Sequence, residues 1–210
     1  MTRTLATFCF DLESPWAYFA AERALQLLPV AAEWQPVLGR DLPGAIAPSV
    51  LGEGQREAEL ELLCARAREL GLQPFRLPEP YPFDGSLAMR VATYAKSIGR
   101  VVPFVQAAYR QAFAGGHSLE DPDFVLIAAA ACEMHPRAVL SAADSRSVAA
   151  QLRDATATAA RLGVTELPAL VIGGSTPAVF EGEHALEEAA ARLEAGGAAD
   201  LRTSTGSSAA

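Results

Sequence analysis

Ser14-Pro15-Trp16-Ala17 stands directly after the apolar run "TLATFCFD" and directly before a helical pattern. A serine in that place can cap a helix: its oxygen accepts a free N–H of the first turn. Pro15 suits the first helical position, because its ring fixes φ and its missing N–H is no loss there. The same terminus carries unsatisfied N–H groups and a positive partial charge, which favour an anion just beyond it. A cysteine at such a helix mouth becomes an acidic thiolate. A serine instead offers a hydroxyl that can donate to a thiolate carried in by another molecule. Taken alone, Ser14 is a helix cap, and any chemistry depends on what faces it.

Other residues that could do chemistry are fewer. Leu167-Pro168 stands just before a late apolar run. Trp16, with Tyr18 and Phe19, can frame an aromatic substrate or fill a core. Arg90 can hold a substrate carboxylate or serve as a solvated helix arginine. Cys9, Cys64 and Cys132 are far apart and form no C-x-x-C pair or metal-ligand spacing, so they read as small buried hydrophobes. His117, His135 and His184 are equally scattered. No metal site is expected.

The elements that must position Ser14 follow from the patterning. Residues 4–11 read as a buried strand, and Trp16, Phe19, Ala20, Arg23, Ala24, Leu27 and Leu28 continue at helical spacing up to Pro29. A second strand is expected over 31–38, with Pro36 confining it to a sheet edge or a strand end. The middle of the chain is helical. Leu60, Leu63, Cys64, Ala67 and Leu70 make one apolar face that stops at Gly71, and Leu87, Val91, Tyr94, Ala95 and Ile98 make another that stops at Gly99. Between them "LQPFRLPEPYPFDG", with Pro74, Pro78, Pro80 and Pro82, reads as an extended connector. Asp121-Pro122 repeats the cap-plus-proline start. A helix over about 145–162, a hairpin of 170–172 with 178–180 around Gly173-Gly174, and a helix over about 184–195 complete the order. The small, polar segment from Gly196 onward is expected to be a disordered tail.

Bulk properties narrow the function classes. A chain of 210 residues can bury a sizeable core in one domain with a large insertion. A net charge of −8 without a Lys/Arg cluster argues against nucleic acid as a partner. The opening "MTRTLATFCFDLESP" breaks its apolar stretch with Asp11 and Glu13, unlike a secretory leader, and no stretch is long enough to span a membrane. A cytoplasmic protein acting on a small molecule, without membrane attachment, is the expectation.

The order strand, helix, strand, helical block, helix, strand, strand, helix fits an α/β, thioredoxin-like sheet carrying an all-helical insertion. The expected division is 1–40 with 145–195 as the sheet domain, 41–144 as the helical insertion and 196–210 as the tail. "FCFDLESPWAYFAAERAL", "PFDGSLAMRVATYAKSIG", "GVTELPALVI" and "VFEGEHALEEAAARL" resemble the DsbA-like superfamily, in the branch of 2-hydroxychromene-2-carboxylate isomerases and kappa-class glutathione transferases. The resemblance runs from about Thr4 to Leu193. It implies a homodimer in which Ser14 activates bound glutathione, Pro168 is cis, and the backbone of Leu167 pairs with the cysteinyl part of the cofactor. It also marks departures. Gln55 and Ala58, with Arg56 nearby, stand where such isomerases carry a lysine and a tyrosine, and their asparagine has no counterpart over 84–89. Gly182-Glu183-His184-Ala185 replaces a Gly-x-Asp-Arg-like segment, leaving Glu183 to meet the γ-glutamyl end. Another low-molecular-weight thiol would meet the same helix terminus.

Three functions stay open on these residues. The first is a thiol-dependent isomerase or transferase for a small conjugated or aromatic compound, using Ser14, with Trp16 and Arg90 toward the substrate. The second is a catalytically silent thioredoxin-fold binding protein. The third, a disulfide oxidoreductase, is disfavoured because positions 14 and 17 are Ser and Ala.

Overall fold

The computed structural model describes residues 5–45, 53–174 and 176–205. Among these, one four-stranded sheet forms from β1 (Ala6–Phe10), β2 (Ala32–Pro36), β3 (Ala169–Ile172) and β4 (Ala178–Glu181), in the order β2-β1-β3-β4. β1 runs parallel to β2, with Phe8 opposite Trp34, and antiparallel to β3, with Phe8 opposite Leu170. The two ends of the chain therefore share one sheet. Pro36 ends β2 on the sheet's edge, where its missing N–H interrupts no ladder.

Period-two alternation sends the strands' side chains to two separate cores. Ala6, Phe8 and Phe10 join Leu170, Ile172 and Trp34 on one face, under α1 (Pro15–Leu27) and α8 (Ala185–Thr205). Cys9, Ala169 and Val171 lie on the other face with Ala159 of α7 (Arg146–Arg161). With both faces covered, β3 is buried along its whole length.

The helical block comprises α2 (Glu53–Glu69), α3 (Ser86–Ser97), α4 (Val101–Tyr109), α5 (Pro122–Ala130) and α6 (Pro136–Ala143). α4 runs into a π-helical turn over Arg110–Ala114. Aromatic rings join this block to α1. Tyr18 lies 5.9 Å from Tyr109 and 5.8 Å from Phe113, and Phe75 stacks on Phe113 at 5.6 Å. All four rings are buried, so a continuous apolar seam holds the block against the helix that Ser14 begins.

Several expectations shift in detail. β1 stops at Phe10, because Asp11 turns inward to accept backbone N–H groups; Thr4, the other end of the expected strand, lies outside the described residues. The final helix does not stop at Ala195 but continues to Thr205. The cost of Gly196 and Gly197, about 1 kcal/mol each, is set against strong helix formers at Ala198, Ala199 and Leu201. Residues 206–210 lie outside the described residues. The Leu167–Pro168 bond is cis, as expected, and so are Glu79–Pro80 and Tyr81–Pro82 in the connector, which were not expected. Among the described residues no helix is long and apolar enough to cross a membrane.

Candidate functional site

Ser14 sits in extended backbone at the N-cap of α1, and its Oγ accepts the Ala17 N–H at 3.2 Å. The oxygen is thereby fixed at the helix mouth, while its own hydrogen is committed to no partner among the described residues. The turn that delivers it is built from Asp11. That carboxylate accepts the N–H of Glu13 at 3.0 Å and of Gly39 at 2.7 Å, and the Asp11 carbonyl accepts from the Ser14 N–H at 3.1 Å and the Tyr109 hydroxyl at 2.8 Å. Asp11 is 3% exposed, and burial pushes its carboxyl above the ordinary range.

Glu13 braces the neighbouring elements. Its Oε1 accepts the Gly85 N–H at 2.9 Å, just before α3, and meets the Arg40 guanidinium at 3.2 Å. A Cβ on Gly85 would lie 2.8 Å from Glu13 Cγ, so this close approach requires glycine. Burial, with Asp11 nearby adding repulsion, raises the Glu13 carboxyl to about 7. Arg40 also reaches Asp84 at 3.1 Å and the Ser86 hydroxyl at 2.5 Å.

The facing wall is the loop before β3. Glu181, at the end of β4, accepts the N–H groups of Thr165 and Glu166 and the Thr165 hydroxyl, the last two at 3.0 and 3.1 Å. Gly44 donates to the Thr165 carbonyl at 3.2 Å, and a Cβ there would lie 2.5 Å from that oxygen. Gly182 donates to the Pro168 carbonyl at 2.9 Å. With its neighbours pinned on both sides, Leu167 keeps its backbone N–H and C=O free of hydrogen bonds among the described residues. Ser14, Trp16 and Leu167 line one open cleft of about 360 Å³, together with Asp11, Glu13, Arg40, Glu59 and Tyr81.

The structure thus brings Ser14, Trp16 and Leu167 together and buries Pro168 directly behind them. Two other expected site residues are placed elsewhere. Glu183 is outside the cleft lining and pairs with Arg66 of α2 at 3.1 Å, because the turn into α8 carries it toward that helix. Arg90 is not among the lining residues either: it lies on α3, its Nε buried without a hydrogen-bond partner among the described residues. Sequence reasoning missed Asp11 and Glu13 as site residues, although they adjoin Ser14 in the chain. It missed Arg40, Glu59, Tyr81 and Glu181 because they arrive from four separate segments.

No cysteine lines the cleft. Cys9 lies on the opposite sheet face, and burial raises its thiol to about 12; burial also raises the Cys132 thiol. Cys64 donates weakly to the Phe75 carbonyl at 3.9 Å. Among the described residues no group of three or more His, Cys, Asp or Glu side chains is arranged to hold a metal ion.

A strand leading into a capped helix, set against a cis-proline loop in the same sheet, defines a thioredoxin fold with a helical insertion. Residues 6–194 match the family model of the DSBA-like thioredoxin domain, and the chain belongs to that family. Solved structures agree on the fold. A 2-hydroxychromene-2-carboxylate isomerase superposes with a TM-score of 0.76 at 16% identity, covering 98% of this chain and 100% of that one. A probable DsbA oxidoreductase from Streptomyces coelicolor gives 0.74 at 22% identity, covering 91% and 88%. The cytosolic disulfide reductase DsbM from Pseudomonas aeruginosa, solved with GSH, gives 0.63 at 16% identity, covering 94% and 99%. A comparison with curated protein sequences gives no match.

Proposed function

We propose that this protein binds a low-molecular-weight thiol, glutathione or another, as a thiolate at Ser14 and uses it to isomerise, or to add to, a small conjugated or aromatic compound. One observation carries the reading: Ser14 Oγ is fixed by the Ala17 N–H at the mouth of α1, with its hydrogen free, across a cleft from the unpaired backbone of Leu167. The helix terminus favours the anion, the hydroxyl donates to it, and the Leu167 edge can pair, strand-like, with the backbone beside the sulfur. The glutathione in the DsbM structure and the isomerase neighbour support this choice of ligand class.

The step balances without an oxidant. The thiolate lone pair forms a C–S bond to the electrophilic carbon of a conjugated substrate, and the π pair moves to the carbonyl oxygen. The former double bond is then single and turns. Return of the enolate pair expels the thiolate unchanged, giving an isomerase; protonation of the enolate carbon instead leaves the C–S bond in place, giving a transferase. Trp16 at the cleft edge provides an aromatic wall for such a substrate.

Ser14→Ala tests the reading. Loss of the cap costs about 1 kcal/mol and leaves the protein folded. Loss of a hydrogen bond to a charged group, about 1.5–3 kcal/mol, lowers thiolate stabilisation about tenfold to a hundredfold. The ultraviolet thiolate band of the bound thiol is expected to move to higher pH in the variant, and turnover to fall with it. Equal thiol binding and equal thiol pKa in the two proteins would make Ser14 a cap only and favour a silent binding protein.

A further inference from the structure

We propose that the cleft at Ser14 selects a thiol whose body carries no carboxylate, uncharged or amine-bearing, over an anionic thiol; the inference rests on the thiol reading above. Among the described side chains lining the cleft, Asp11, Glu13, Glu59 and Glu166 are acidic and only Arg40 is basic. The acids come from the turn before α1, from α2 and from the loop before β3, so they surround the ligand's path instead of marking one side. Arg40 does not pair with Glu59 or Glu166. Its guanidinium is already shared by Glu13 at 3.2 Å and Asp84 at 3.1 Å.

Other cations lie outside the cleft lining. Arg66 is held by Glu183 at 3.1 Å and Glu69 at 3.3 Å. The adjoining hollow, which shares Glu59 and Tyr81 with the cleft, adds Arg56 but also Glu79. Polarity reverses at one point only, where α1 begins and the Ser14 hydroxyl stands free. The site is therefore dipolar: its sulfur end favours an anion, and the rest repels one. Glutathione, with two carboxylates and one ammonium, matches the first half and opposes the second.

Burial raises the Asp11 and Glu13 carboxyls above the ordinary range, and Glu59 and Glu166 line the same cleft. Glu13 faces Asp11, Arg40, Asp84 and Tyr81; as it ionises, near pH 7, the lining gains negative charge and the discrimination strengthens.

Calorimetric titration of the whole protein with cysteamine, 2-mercaptoethanol and 3-mercaptopropionate, three thiols of similar size, tests the inference, with glutathione as a fourth ligand. At low salt the cationic and neutral thiols are expected to bind about tenfold or more tighter than 3-mercaptopropionate, and the gap to shrink at high salt. In the double variant Glu59→Gln, Glu166→Gln the anionic thiol is expected to gain affinity and the cationic one to lose it, with the neutral thiol unchanged. Binding of 3-mercaptopropionate or glutathione as tight as that of 2-mercaptoethanol, or an order insensitive to both salt and the variant, would overturn the selectivity while leaving the thiol site standing. Failure of every thiol to bind would overturn the thiol reading itself, and the selectivity with it.

Discussion

The two walls of the cleft are built in opposite ways. The Ser14 wall has a local frame: Asp11 accepts from Glu13 and Ser14, and Ser14 from Ala17, all within a few residues, and Gly39, Tyr109 and Gly85 add longer-range bonds to it. The Leu167 wall depends on remote partners, since Glu181 and Gly182 come from the far end of a hairpin and Gly44 from the loop after β2. A short-range turn forms wherever its residues occur, whereas the Leu167 wall exists only once the sheet has assembled. Substitutions should therefore damage the second wall through distant residues and the first chiefly through residues within it.

The sharpest way to break the contrast is Glu181→Ala. It removes the acceptor of two backbone N–H groups and a hydroxyl at the surface, where water takes up part of each bond, and is expected to lower stability by about 2 kcal/mol and to abolish thiol binding. Urea denaturation and calorimetry read both effects. Unchanged thiol binding would show that the loop holds its shape without Glu181.

Glu13→Gln probes the brace that ties the Ser14 turn to the start of α3 and to Arg40. The folded carboxyl titrates near 7 against an ordinary value of 4.5, so the neutral form favours the fold. Its contribution is complete below about pH 4.5 and lost as pH rises through 7. Between pH 5 and pH 8 the wild type is expected to lose about 2 kcal/mol more stability than the variant, whose amide keeps the acceptor for Gly85 and does not titrate. Parallel pH profiles would contradict this assignment.

Tyr109→Phe removes a buried hydroxyl from the Asp11 carbonyl, one of the long-range struts of the Ser14 wall. A loss of about 1 kcal/mol is expected, with little change in thiol affinity, because that carbonyl still accepts from Ser14. A larger loss of affinity than of stability would mean that the first wall is less self-contained than its bonds indicate. The smallest effect belongs to Glu183→Gln. Its pair with Arg66 is partly exposed, so stability should change by less than about 0.5 kcal/mol and thiol binding not at all. Weakened glutathione binding in this variant would return Glu183 to the site.

Much of the first wall was legible before folding was considered. Ser14 and Pro15 carry a helix start in their own chemistry, and the alternation around Phe8 and Phe10 marks a central strand. Pro168 was found through the likeness of its surroundings to a known motif. Glu183 was expected at a cofactor contact from its neighbours in the chain, whereas the turn at Gly182 carries it to Arg66 of α2, which no local pattern reports.

What the sequence determined by itself is the set of elements and the capped helix mouth, because caps, proline positions and apolar periodicity act over a few residues. What only the tertiary structure decided is the cleft. Its carboxylates, its neutralised Arg40 and its free Leu167 edge come from segments up to about 150 residues apart. Their meeting depends on β1 pairing with β3 and on the aromatic seam that seats the helical block. Those are long-range contacts, and their free energy is realised only when the whole chain has closed.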